Sequence, residues 1–189
     1  MTRIRVSIVT FNNADTIERC LESVLAQSGD FEVAISVVDN NSGDDTAINV
    51  RAVHPDVELI EPGENLGFGA GHNRVLRDCS EPFALLLNPD AWLLDGALDR
   101  LLDTLNKFGE VALAGPRMEY ADGRPQLSFG RFPGLLADIR QRSLTRSIQA
   151  GEPEAVRHLD HFLNSPIRPN WIDTSILETI SERTGSPRV

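Results

Sequence analysis

Apolar and polar positions along this chain switch repeatedly between two periods. Short β-branched runs read as strands: "IRVSIVTF" (Ile4–Phe11), "FEVAISVVD" (Phe31–Asp39), "VELIE" (Val57–Glu61), "PFALLL" (Pro82–Leu87) and "VALAGP" (Val111–Pro116). The second is nearly continuous in apolar residues towards its end, as expected for a strand buried on both faces of a parallel sheet. Between the runs, apolar residues recur at helical spacing. Ile17, Cys20, Leu21, Val24 and Leu25 mark a first helix, capped by Asn13 or Asp15 and ended by Gly29. Ala47, Ile48 and Val50 mark a second, Val75 and Leu76 a third after a glycine-rich loop, and Leu98, Leu101, Leu102 and Leu105 a fourth after Asp95-Gly96. Five strand–helix alternations within about 115 residues predict an α/β domain with a mostly parallel central sheet flanked by helices.

In such sheets ligands bind beyond the carboxyl ends of the strands. Those ends hold Thr10–Asn12, Asp39–Asp45, Asn65–Asn73 and Asn88–Asp90, and each group is polar. From Tyr120 onward the pattern changes. Asp122-Gly123 predicts a hairpin, "LLADIRQRSLTRSI" a helix with a basic face, and the remainder a peripheral, partly disordered tail. Residues 1–133 are therefore expected to form the α/β domain, and 134–189 a peripheral helical or irregular segment.

Composition narrows the class. The 189 residues suffice for one domain with a real core, at 41% hydrophobic and 24% charged. Aromatics are only 6%, so Leu, Val, Ile and Ala must build that core. A net charge of -10 argues against nucleic acid as a partner. It leaves an anionic nucleotide open, because backbone amides and a divalent cation reverse the field locally. Cys20 and Cys79 lack metal spacing and read as reduced, partly buried helix residues of a cytosolic protein. No apolar run approaches the ~20 residues of a membrane span. The N-terminal "MTRIRVSIVTFNN" superficially resembles a signal peptide, but its apolar stretch is too short and no small-residue cleavage site follows.

Individually, the polar strand ends are ambiguous. Asp39 can accept a hydrogen bond from a nucleobase N–H, or simply cap the following turn. "DNNSGDDT" can be a site or a loop leading to a helix N-terminus capped by Asp44 or Asp45. "GFGAGH" invites a dinucleotide reading, but the G-x-G-x-x-G fingerprint belongs on the first βα turn, which here is "TFNNADT". The glycines either offer amides to a phosphate or allow a helix to pack tightly on the sheet. His158 and His161 have no further zinc ligands near them in sequence. Asp90, beside a rigid proline at a strand end, suits a hard cation holding a diphosphate, or is a plain Asn-Pro-Asp turn.

Taken in order and spacing, "VSIVTFNNADTIERCLESVLAQ", "VVDNNSGDDT", "ENLGFGAGHNR" and "LLLNPDAWL" closely resemble family 2 glycosyltransferases of the GT-A fold, nearest to the rhamnosyltransferase-like branch, over Arg3 to Pro133. The resemblance implies inverting transfer of a sugar from a nucleoside-diphosphate sugar, with deoxythymidine-diphosphate rhamnose first in line. The acceptor would be a surface polysaccharide or a lipid-linked glycan, met in the cytoplasm at the inner face of the plasma membrane. It assigns the nucleoside to Thr10, Phe11 and Asn12, the base to Asp39, and support of the nucleotide pocket to Asn41, Ser42 and Asp44. Asn65, Gly67 and Asn73 would lie by the donor, and His72 falls where some relatives place an arginine near the phosphates. The family's metal-binding D-x-D becomes Asn88-Pro89-Asp90, in which Asp90 would hold Mg2+ or Mn2+ and Asn88 is a neutral, weaker substitute.

The chain departs from the family after Trp171, where "IDTSILETISERTGSPRV" carries no acidic motif in the expected context. The general base is therefore unassigned, Asp173 and Glu178 not being assignable to it, and the acceptor half is expected to be incomplete, as in a truncated product. A non-catalytic nucleotide-sugar-binding or partner domain is the alternative. A dinucleotide oxidoreductase is disfavoured by the misplaced glycine loop.

Overall fold

The computed structural model describes residues 1–108 and 112–126, together with 146–147, 150–154 and 157. Strands β1 (Thr2–Thr10), β2 (Phe31–Asp39), β3 (Glu58–Ile60) and β4 (Phe83–Leu87) make one sheet in the order β3-β2-β1-β4. Every neighbouring pair is parallel. The register places Thr10 opposite Asp39 and Ile8 opposite Leu87. The chain moves outward from β1 to β3, then returns to the other side of β1 to form β4. That reversal beside β1 is the kind of switch point at which open α/β sheets bind ligands.

Helices α1 (Ile17–Leu25), α2 (Thr46–Val53), α3 (Phe68–Leu76) and α4 (Ala97–Lys107) cover the sheet. The larger core joins Ile4, Val6 and Ile8 of β1 and Ile35 and Val37 of β2 to Ile17, Cys20, Leu21 and Val24 of α1, with Val50 of α2 and Leu98 and Leu102 of α4. A smaller cluster forms from the alternate residues Val9 and Val38, with Ile60 and Val75 of α3. The strands thus present apolar residues on both faces, which explains their continuous apolar runs. Burying each of these side chains contributes about 1.5–3 kcal/mol. α3 lies close to β1 because position 71 is glycine. A Cβ there would sit 2.8 Å from a Val9 methyl, so the tight-packing reading of that glycine holds.

Several elements differ from expectation. Thr16, not Asn13 or Asp15, stands at the N-cap of α1, and no side chain caps it. The Asn13 carbonyl instead accepts the Thr16 and Ile17 amides. α1 ends at Leu25, short of Gly29. Cys79 follows α3 rather than lying in a helix, although both cysteines are buried and unpaired. α3 starts at Phe68, inside the glycine-rich segment. The expected strand at Val111–Pro116 is absent over its described part, 112–116, where no neighbouring strand supplies ladder hydrogen bonds. Most of the expected helix from Leu135 lies outside the described residues, with Arg146 and Ser147 of it helical, and so do His158, His161, Trp171, Asp173 and Glu178 of the tail.

The chain divides into two compact units between Ala112 and Leu113. The second contains the expected hairpin: β5 (Met118–Glu119) pairs antiparallel with β6 (Pro125–Gln126). Gly123 takes φ 80° in its turn, and the Asp122 carboxylate accepts the Arg124 amide.

One ion pair anchors the start of β4 to the centre of the sheet. Arg5 of β1 donates to Glu81 at 2.7 Å, and the Glu81 side chain is only 1% exposed. Arg5 also reaches Ser36 of β2, which donates to Glu58 of β3. Burial pushes the Glu81 carboxyl up, but the Arg5 hydrogen bond and charge, with local backbone and thiol contacts, outweigh it and hold the group at about 2. A carboxyl depressed from 4.5 stabilises the fold above its unfolded value, and the contribution disappears as pH falls towards about 2. Glu81→Gln is expected to lower stability by about 2 kcal/mol at neutral pH. The gap from wild type should close on acidification, as followed by thermal unfolding across pH.

Candidate functional site

The carboxyl ends of β1 and β2 are interlocked loop to loop. Beyond β1, the Asn12 amide donates to Ser42 Oγ at 2.9 Å, and Asn12 Oδ1 accepts the Gly43 amide at 2.8 Å. The Asn13 amide donates to Thr46 Oγ1, and the Ala14 amide to Asp44. Asn13 Oδ1 closes the β1 turn by accepting from Thr10 Oγ1 and the Phe11 amide. Asn12 and Asn41 both adopt left-handed backbone, at φ 55° and 64°. Asparagine tolerates that region better than other residues bearing a side chain.

Within this platform the singled-out residues take distinct places. Thr10 is buried and serves the turn, whereas the Phe11 ring is 49% exposed at the strand end. Asp39 is buried, and its carboxylate accepts the Ser42 hydroxyl and the Ser42 amide, so it does cap its turn. Asp44 is exposed and accepts the Thr46 hydroxyl at 2.5 Å and the Thr46 amide. The Thr46 hydroxyl hydrogen bond holds the Asp44 carboxyl below its ordinary range. Asp44 is therefore anionic at neutral pH.

Asn40, which sequence reasoning passed over, ties the third loop to this platform. Its amide donates to the Thr10 carbonyl at 2.8 Å, its Oδ1 accepts the Leu66 amide, and its Nδ2 donates to the Gly67 carbonyl. Asn65 Oδ1 accepts the Gly67 amide at 2.9 Å, and Gly67 takes φ 77° as α3 begins. Asn65 and Gly67 thus join the platform, while Asn73 lies half-buried along α3. The only sequence signal for Asn40 was its place in "VVDNNS", between residues already singled out.

His72, which the resemblance implies lies near the phosphates, is drawn into the fold. Its ring is fully buried, with Nδ1 2.8 Å from Ser7 Oγ in the middle of β1. Phe68 meets the ring edge-on at a centroid distance of 4.4 Å. Nε2 is buried without a partner among the described residues. The helical period explains the location: Gly71, His72, Val75 and Leu76 form the buried stripe of α3.

Asn88-Pro89-Asp90 leaves β4 beside the end of β1. Asn88 and Asp90 are exposed. The Asp90 carboxylate makes no hydrogen bond or ion pair with other described residues, while the Asn88 carbonyl accepts from the Ala91 amide and the Cys20 thiol. Among the described residues no group of three or more His, Cys, Asp or Glu converges to hold a metal. An open carboxylate with a neutral amide oxygen two residues away nevertheless fits Mg2+ or Mn2+. Such a cation takes one or two protein oxygens and completes its shell with water and substrate phosphates.

Residues 6–163 match the model of "Glycosyl transferase family 2". The chain belongs to that family. Relatives of this chain include the N-acetylglucosaminyl-diphospho-decaprenol L-rhamnosyltransferase of Mycobacterium tuberculosis, 30% identical over 142 residues, covering 69% of this chain and 46% of the relative. The mannosyltransferase PcManGT of Pyrobaculum calidifontis, in complex with GDP-Man and Mn2+, is similar at TM-score 0.52 and 26% identity over 62% of this chain and 35% of that one. TarS 1–349 of S. aureus, in complex with UDP-GlcNAc, shares the fold at TM-score 0.51 and 21% identity over 63% of this chain and 38% of that one. The parallel sheet with its covering helices is thus the α/β arrangement of GT-A glycosyltransferases. The chain spans less than half the length of the curated relatives it matches.

Burial of His72 drives its ring well below the ordinary value, to about 4. Because the unfolded chain takes up that proton near 6.5, stability is full above 6.5 and declines as pH falls towards 4. Wild type is expected to be about 2 kcal/mol less stable at pH 5 than at pH 8 through this group alone. In His72→Asn, which retains a polar atom for Ser7, that part of the slope should vanish in denaturant titrations at the two pH values.

Proposed function

We propose that this chain binds a nucleoside-diphosphate sugar over the carboxyl ends of β1, β2 and β4 and passes the sugar, with inversion, to a glycan or lipid-linked acceptor. The observation that carries this reading is the pairing of two features. An interlocked asparagine-rich platform projects the exposed Phe11, and the open Asp90 carboxylate stands at the end of the adjoining strand. The rhamnosyltransferase relative, named for a diphospho-decaprenol-linked acceptor, supports a deoxythymidine-diphosphate rhamnose donor and a lipid-linked acceptor. The PcManGT complex with GDP-Man and Mn2+ supports a divalent cation. No helix among the described residues is long and apolar enough to cross a membrane. The inner face of the plasma membrane is the proposed place of action, where a lipid-linked acceptor would be met.

In this mechanism Thr10, Phe11 and Asn12 carry the nucleoside, and Asp39 meets the base. One Asp39 oxygen must do so while the Ser42 contacts hold the carboxylate in place. Asn41, Ser42 and Asp44 keep the platform shaped, and Asn65, Gly67 and Asn73 border the donor. His72 acts beneath the surface, through the seating of α3. Asp90, aided by Asn88, would hold the cation, which neutralises the diphosphate as it departs. The attacking acceptor hydroxyl needs a base to take its proton. That group is not assigned among the described residues.

A panel of nucleotide sugars with Mn2+ tests the reading by titration calorimetry and by nucleotide release. One donor should bind, and an acceptor should stimulate release. Binding without stimulated release would make the chain a donor-binding module, and no binding to any donor would sink the proposal. Asp90→Ala is expected to weaken cation-supported donor binding at least tenfold, about 1.4 kcal/mol. Affinity equal to wild type, with and without Mn2+, would remove Asp90 from the metal site.

A further inference from the structure

Helix α1 runs directly beneath the segment that carries Asp90, and its contacts follow that segment in order. The Cys20 thiol donates to the Asn88 carbonyl at 3.4 Å. Arg19 stacks over the Trp92 ring at 3.7 Å. Ser23 Oγ accepts the Leu93 amide at 3.0 Å while donating to the Cys20 carbonyl at 2.7 Å. Gln27 Nε2 donates to the Leu94 carbonyl at 3.1 Å, and its Oε1 accepts the Leu98 amide at 3.3 Å. Arg19 and Ser23, four residues apart, form one stripe beside the buried face of the helix, and Gln27 follows just past the helix end.

The other end of the same helix is fastened to the β1 loop. Asn13 accepts the Thr16 and Ile17 amides at its carbonyl, and its side chain closes the Thr10–Phe11 turn. Between these two attachments α1 is pinned in the core by Ile17, Cys20, Leu21 and Val24. The β1 loop and the Asp90 segment therefore hang from one buried helix. The segment from Asn88 to Leu94 belongs to no strand or helix. Cys20 and Ser23 of α1, with Gln27 just past its end, supply the partners for several of its backbone groups.

We propose that α1 is a rail that presets Asp90 relative to the β1 loop, with Ser23 and Gln27 as positioning residues for cation-assisted donor binding. This rests on the reading of Asp90 as a cation ligand. An oxygen ligand for Mg2+ or Mn2+ must be held in place, and a freely moving loop would spend part of the binding energy on its own ordering. Here the ordering is supplied in advance by hydrogen bonds remote from the donor.

The test compares wild type with Ser23→Ala, Gln27→Ala and Ser23→Thr, the last retaining a hydroxyl. Affinity for the donor chosen by the panel is measured with Mn2+ and with chelator, alongside thermal unfolding and amide hydrogen exchange at Leu93 and Leu98. Ser23→Ala and Gln27→Ala are expected to lose about tenfold of the Mn2+-dependent gain while keeping the chelator affinity. Their Leu93 or Leu98 amides should exchange faster, and Ser23→Thr should restore both readouts. A full Mn2+-dependent gain in variants whose Leu93 and Leu98 amides have lost protection would overturn the rail and leave the function standing. Equal losses with Mn2+ and with chelator would reduce Ser23 and Gln27 to general structural residues and also overturn it. Unprotected Leu93 and Leu98 amides in wild type would overturn it without any donor present. Absence of a Mn2+-dependent gain in wild type would refute the cation reading of Asp90, and the rail with it.

Discussion

Parallel pairing of β1 with β2 on one side and β4 on the other is the constraint on which the candidate site depends. Parallel strands send all their carboxyl ends to one edge, and the observed register sets how far each projects. Thr10 and Asp39 finish level, so their loops can interlock through Asn12, Asn13, Ser42, Gly43 and Thr46. A shift of one residue would turn Val6, Ile8 and Val37 from the larger core to the opposite face and separate those loops together. The site geometry and the apolar core are therefore specified by the same register.

The platform is unusual in how much of it asparagine builds. Asn12, Asn13, Asn40 and Asn65 each accept from a backbone amide or hydroxyl, and Asn40 donates as well. Amide side chains can do this without adding charge. That matters in a chain of net charge -10 whose nearby carboxylates include Asp39, Asp44 and Asp90. In the proposed binding mode an anionic donor would meet neutral dipoles from the loops at this edge, and the open charge of Asp90 would be left for a cation to offset. The opposite requirement applies under α3, where the buried Ser7–His72 pair is kept neutral by exclusion of water.

Much of the fold was legible. β2 has the expected bounds, β1 and β4 differ by a residue or two at their ends, and the four helices fall where helical spacing placed them. Those signals are strong because burial against a sheet demands a periodic stripe. Capping was less legible. Asn13 and Asp15 were both suitable cap residues, yet the Asn13 side chain is drawn into the β1 turn. The strand expected from Val111 had the right composition, but composition carries no information about a ladder partner. His72 sits one residue from Asn73 in a motif read as donor-facing. The face on which each falls is set by the phase of α3 once Gly71 lets the helix approach Val9.

The sequence by itself determined the family, the alternating α/β order and the polar character of the strand ends. Apolar period, turn residues and ordered motifs are local properties, written in neighbouring positions. Only the tertiary structure decided which polar side chains are tied into the fold and which stay open. Asp39 is shared with Ser42, Thr10 and Asn13 are turned to each other, and Asn40 joins two loops. Asp90 is left open above α1, about 70 residues earlier in the chain, and Ser23 of that helix and Gln27 just past its end brace its segment. Such contacts depend on which groups the sheet brings within hydrogen-bond reach, and no local pattern records that.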